Sequence, residues 1–108
     1  MCYKVSNNAI TVRVQKLDTL ARQLKVRKID FIKIDTEGAE LMVLKGSKKI
    51  LMSNKPRLIM EIHGEDNMRK VRELLKNLGY QYISGGKRLA KKNDFSIITE
   101  ILYAWKSK

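Results

Sequence analysis

Apolar residues recur along this chain with two different periods, and the switches between them mark its elements. Ile10, Val12 and Val14 alternate with Thr11, Arg13 and Gln15, the period-two pattern of a half-buried strand. Leu17, Leu20, Ala21 and Leu24 follow at helical spacing. With Asp18 as N-cap they predict a short amphipathic helix running to about Val26. Ile29, Phe31, Ile32 and Ile34 then form an apolar run of β-branched and aromatic residues enclosing Lys33, which predicts a strand over 29–35 buried on both faces of a parallel sheet. Beyond Gly38, the residues Leu41, Leu44 and Leu51, flanked by Val43 and Ile50, predict one helix ending near Asn54, since Pro56 bars its continuation.

The second half of the chain repeats this alternation and then departs from it. Residues 57–62 (RLIMEI) read as another apolar strand, closing on Glu61, His63 and Gly64. A third helix begins near Glu65 or Asp66, with Met68, Val71, Leu75 and Leu78 on its inner face, Leu74 beside them and Gly79 as its C-cap. Residues 80–84 read as a strand, 85–94 (GGKRLAKKND) as a turn or loop, and 95–105 as a longer final strand, together an antiparallel hairpin. Strands alternating with helices mean α/β: a parallel sheet with crossover helices, to which the C-terminal hairpin adds an antiparallel strand. No linker or repeat divides the chain, so residues 1–108 read as a single domain. Gly46 inside the second helix costs about 1 kcal/mol relative to Ala at an exposed site; a close contact between helix and sheet is the simplest reason for it.

Candidate chemistry gathers where the strands stop. Asp35, Glu37 and Glu40 follow the 29–35 strand, with Gly38 among them, and Glu61 and His63 end the next. One crossover joins these strands, so they are expected to be parallel neighbours whose carboxyl ends meet at one rim, the position where open α/β sheets bind ligands. Ile34 and Asp35 point to opposite faces, so only some of Asp35, Glu37, Glu61 and His63 are expected to converge. Three readings fit the residue types. Carboxylates and an imidazole bind a divalent cation; Glu61 or His63 serves as a general base; or Glu37 and Glu40 face the positive end of the following helix while Asp35 caps it. Gly38 either permits a turn closed to other residues or lets a ligand approach the backbone.

Composition narrows these options. At 44% hydrophobic and 31% charged the chain has a globular composition, which argues against disorder. Cys2 is the sole cysteine, so no internal disulfide forms, and no apolar run approaches the ~20 residues of a membrane span. These features point to a cytoplasmic protein without a membrane partner. The net charge of +12 raises an alternative, a non-catalytic basic α/β binding module contacting anionic partners such as nucleic acid. The cations are scattered over predicted polar faces and turns, and no aromatic residue alternates with the basic runs to stack on bases, so a solvated lysine-rich surface is the preferred reading.

The segment from Leu17-Asp18 through IDFIKIDTEGAELMVLKGSKKIL to KPRLIMEIH resembles the FkbM-type methyltransferases, over roughly residues 12 to 80. The resemblance implies a Rossmann-like methyltransferase fold, S-adenosylmethionine as cofactor, and methyl transfer to a hydroxyl of a sugar or another small-molecule acceptor. Asp35, Glu37, Gly38 and Glu40 match the family's acidic-glycine block, and Glu61 matches the acid ending its next strand. By this resemblance Asp35, Glu37 and Gly38 lie on the cofactor side of the cleft, Glu61 and His63 on the acceptor side, and no metal is implied. Ahead of this block the family carries a strand with a glycine-rich cofactor-binding turn, and CYKVSNNAITVRV contains neither. The expectation is a partial sheet, the C-terminal portion of the fold. One edge of its 29–35 strand would then pair with a second polypeptide or with another copy in a homodimer.

Overall fold

The computed structural model describes residues 2–4, 11–92 and 95–107. Ten elements follow in order: β1 (Cys2–Lys4), β2 (Thr11–Arg13), α1 (Leu17–Gln23), β3 (Phe31–Ile34), α2 (Glu40–Lys45), α3 (Lys48–Ser53), β4 (Arg57–His63), α4 (Glu65–Asn77), β5 (Gln81–Lys92) and β6 (Phe95–Trp105). The main sheet has the order β3-β4-β6-β5, with β3 and β4 parallel and β6 antiparallel to both its neighbours. β1 and β2 form a separate two-stranded antiparallel sheet. The mixed α/β architecture with a C-terminal antiparallel hairpin is the one expected.

One face of the sheet carries the core. Leu58, Met60 and Ile62 of β4 and Leu102 and Ala104 of β6 pack with Leu44 of α2, Leu51 of α3 and Met68, Val71 and Leu75 of α4. The alternate positions of β4, Ile59, Glu61 and His63, are only half-buried. On that open face Ile83 pairs with Tyr103 and Ile101 pairs with Glu61, and Ile83 and Ile101 are both exposed. The molecule is accordingly 18 Å across its thinnest axis, the main sheet and one helical layer. The strand expected to be buried on both faces is therefore buried on one: Ile34 is in the core while Phe31 is 52% exposed. The half-buried strand expected from Ile10 to Val14 is shorter and more open; Val12 and Val14 are exposed, and Ile10 lies outside the described residues.

The single helix expected to reach Asn54 is two. It breaks at Gly46 and Ser47, where the Ser47 hydroxyl donates to the Val43 carbonyl at 2.7 Å instead of capping α3. The capping is done from outside the helix. Asp18 accepts from the backbone N–H groups of Lys49 and Ile50, both at 3.0 Å, the donors an N-cap side chain would satisfy. Asp18 is thus not the N-cap of its own helix, which starts one residue earlier at Leu17 with Lys16 as an uncapped N-cap and ends at Gln23 rather than Val26. Its backbone N–H also donates to the Gly46 carbonyl at 2.9 Å. The close approach that Gly46 permits is to Lys16, whose Cβ would stand 3.2 Å from an added Cβ, and not to the sheet.

α4 follows its expected course, with Met68, Val71 and Leu75 buried and Gly79 at φ +81° just past its end. The segment 85–92, expected as loop, is instead the second half of β5, with a bulge between Ser84 and Gly86 where Gly85 has no partner in the register. Buried Glu100 anchors this long hairpin, accepting from Arg72 of α4 and from the Ser84 hydroxyl. That attachment carries Arg88 and Lys91 beyond the body of the sheet towards the carboxyl ends of β3 and β4. Replacing Asp18 by Ala should lower stability by about 1 kcal/mol, the usual value of a helix cap. Urea unfolding measures the loss, and an unchanged midpoint would show that Asp18 does not hold α3.

Candidate active site

The segment after β3 makes a tight turn because two consecutive residues adopt positive φ, Glu37 at +52° and Gly38 at +120°. An added Cβ at Gly38 would meet nothing within 4 Å, so conformation rather than crowding requires glycine there. The turn points the Thr36 hydroxyl and the Gly38 N–H at one carboxylate, Glu40 Oε2, at 2.6 and 2.7 Å. Oε1 of the same group accepts from the His63 backbone N–H at 2.8 Å and the Asn67 amide at 3.2 Å, and lies 3.2 Å from His63 Nδ1. Glu40 has no exposed side-chain surface. One buried carboxylate therefore joins the end of β3, the start of α2, the end of β4 and the first turn of α4.

Burial pushes the Glu40 carboxyl up. The bonds from Thr36, from the His63 and Gly38 N–H groups and from the His63 ring outweigh it and leave the group below its usual value of 4.5. The anion is what these donors require, since both oxygens act purely as acceptors. With Nδ1 facing a carboxylate, the neutral imidazole carries its proton on Nδ1 and keeps a lone pair on Nε2.

Around this hub opens a cleft of about 360 Å³, within the size range of small-molecule sites. Asp35 and Glu37 line one side, Glu61 and His63 the end of β4, and Arg88, Lys91 and Ile97 the side formed by the hairpin. All four residues of which only some were expected to converge line this one cleft, and Gly38 sits in the turn behind it. The Arg88 guanidinium donates to Glu61 Oε1 at 2.6 Å and holds the Glu61 carboxyl below the usual carboxylate range. Among the described residues no three of His, Cys, Asp and Glu come together as a metal-ligand set. Sequence reading placed Glu40 at the helix dipole and missed its hold on His63. It also missed Arg88, Lys91 and Ile97, for which the available signal was the pairing of 86–92 with 95–101.

Glu40 stabilises the fold as an anion, so its contribution is present above the unfolded value of 4.5 and is lost as pH falls through its lower folded value. Replacement by Gln forces an amide N–H against donors and should cost about 2–3 kcal/mol at neutral pH. Denaturant titrations should show this gap shrinking as the pH is lowered below 4.5. A gap that persists undiminished into acid would show that Glu40 is not held as the anion.

Comparison with known proteins agrees with this architecture. The chain is similar in structure to precorrin-6y C5,15-methyltransferase from Geobacter metallireducens, with a TM-score of 0.57 and 17% sequence identity, over 89% of this chain and 52% of that one. It thus spans about half the length of that protein. No curated protein matches the chain significantly. Among the described residues no helix is long and apolar enough to cross a membrane. The methyltransferase FkbM domain family matches residues 3–82, which contain the Thr36–Gly38 turn, the Glu40 hub and the end of β4, and the chain belongs to that family.

Proposed function

We propose that this domain takes part in methyl transfer from S-adenosylmethionine to a hydroxyl group of a small molecule, such as a sugar, with His63 as the general base. The observation that carries the reading is the Glu40–His63 pair at the rim of the cleft. Its geometry leaves Nε2 as the ring nitrogen able to accept a proton. The carboxylates of Asp35 and Glu37 suit a ligand that bears positive charge, hydroxyls and an amine, so the donor set fits the cofactor and its place is the β3 side of the cleft. Bound S-adenosylmethionine supplies a methyl group already activated on a sulfonium sulfur. The chain's own residues then orient the acceptor hydroxyl and remove its proton. Glu61 is the weaker candidate base, since its pairing with Arg88 stabilises the carboxylate and lowers its proton affinity; its part is to position Arg88.

We further infer that the open face of the sheet and the edge of β3 that no described strand pairs with pack against more polypeptide, in the same chain or a second one. The exposure of Phe31 on the parallel strand β3 supports this, because parallel strands are ordinarily covered on both faces. The exposed Ile83 and Ile101 of the antiparallel β5 and β6 extend the same apolar face. Both readings meet in one experiment. Calorimetry with S-adenosylmethionine should give no heat for these 108 residues alone and should register binding once a segment bearing a strand and a glycine-rich turn is supplied. In that complemented protein His63→Ala should retain cofactor binding and lose methyl transfer by about 10²–10⁴-fold. Full-strength binding by the chain alone would refute the incomplete-sheet reading, and undiminished transfer in His63→Ala would refute the base.

A further inference from the structure

The cleft is divided by charge. Asp35 and Glu37 line it from the β3 side, and Arg88 and Lys91 of β5 line it from the other, with Ile97 beside them. Arg88 pairs in register with Thr99 of β6, on the face of the hairpin arm that also carries Ile97. Lys91 pairs with Ser96 on the opposite face of the arm and meets the cleft as one of its lining residues. The arm is stiffened at its base by the buried Glu100 and at the cleft by the Arg88–Glu61 contact. Glu61 engages a single terminal nitrogen of Arg88, and the guanidinium carries five N–H donors in a planar fork. Its side chain is still 66% exposed. Lys91 is exposed and enters no ion pair among the described residues.

We propose that the small molecule taken by this cleft carries an anionic group, a carboxylate or a phosphate, which Arg88 and Lys91 bind so that its hydroxyl lies towards His63. The inference rests on the methyl-transfer reading for which end of the ligand reacts, and on the two cations alone for the charge. Charge complementarity gives the arrangement its logic. A cationic donor on the acidic side and an anionic acceptor on the basic side are each disfavoured in the other's place, so the two ligands are sorted before any reaction occurs. Glu61 holds the Arg88 fork in position before binding, which reduces the ordering needed when the anion arrives. A guanidinium pairs bidentately with carboxylate or phosphate, whereas an ammonium adds a point charge without directional demand.

The test uses glucuronate, glucose 6-phosphate and glucose as probes in nitrogen-resolved NMR titrations of the complemented protein. Both anionic probes should give saturable shifts at Arg88, Lys91 and His63, with glucose binding at least about tenfold more weakly. The tighter of the two anions identifies the group. Lys91→Gln and the Arg88→Gln/Lys91→Gln pair replace exposed residues, where stability changes are small, and should remove the preference stepwise. Equal binding of glucose and the anions, or a preference that survives in the double variant, overturns the proposal. Methyl-transfer assays on the same probes separate the two readings. Saturable anion binding without transfer sustains the charge selection and counts against the acceptor chemistry, whereas transfer to glucose as readily as to the anions sustains the chemistry and removes the selection.

Discussion

Everything at the cleft end of this molecule depends on a buried carboxylate that no Lys or Arg among the described residues pairs with. Glu40 satisfies donors from the turn after β3, from the last residue of β4 and from α4, and it does so from the first turn of α2. A charge in this position is stable only because every lone pair meets a donor. That requirement fixes the positive φ values at Glu37 and Gly38, since only that turn brings the Gly38 N–H and the Thr36 hydroxyl round to Oε2. It also fixes the orientation of the His63 ring. Structure and chemistry are joined here: the group that closes the rim of the sheet is the group that sets the imidazole.

The remainder of the fold presents this rim. The core on one face of the sheet sets the alignment of β3 with β4, and the Tyr80 hydroxyl ties the start of β5 to the Pro56 carbonyl at 2.8 Å. The Glu100 cluster extends the hairpin until Arg88 reaches Glu61. Among the described residues the opposite face is thinly covered, and it exposes Phe31, Ile83 and Ile101 beside Lys33 and Arg57. A cleft at the carboxyl ends of parallel strands, with one face of the sheet open beside it, is an arrangement to which further polypeptide could add a second wall.

The elements legible in the sequence were those whose identity is local. α4 announced itself through unbroken helical periodicity, β4 through a continuous apolar run, and the strand-end acids through their abrupt change from apolar to charged. What escaped was decided by distant partners. Asp18 looks like a cap for the helix beside it, yet it caps α3, thirty-one residues away at Lys49. The second half of β5 reads as a loop because an edge strand exposed along 85–89 has no buried face to impose alternation. Glu40 reads as one more acid near a helix start, and nothing in its neighbourhood of sequence reveals that it will be the buried one. The family resemblance pointed to the ends of β3 and β4, where the cleft opens, while Arg88 and Lys91 came into view only with the register of the hairpin.

The central claim is that Glu40 sets His63 with its proton on Nδ1 and a lone pair on Nε2. The chain contains one histidine, so the nitrogen resonances of its imidazole need no assignment. Measured on the wild-type chain at a pH well above the ordinary imidazole value of about 6.5, those resonances should report the Nδ1-protonated tautomer. A ring protonated on Nε2 under the same conditions would contradict the account, since the carboxylate would then face a lone pair and Nε2 could not act as the base.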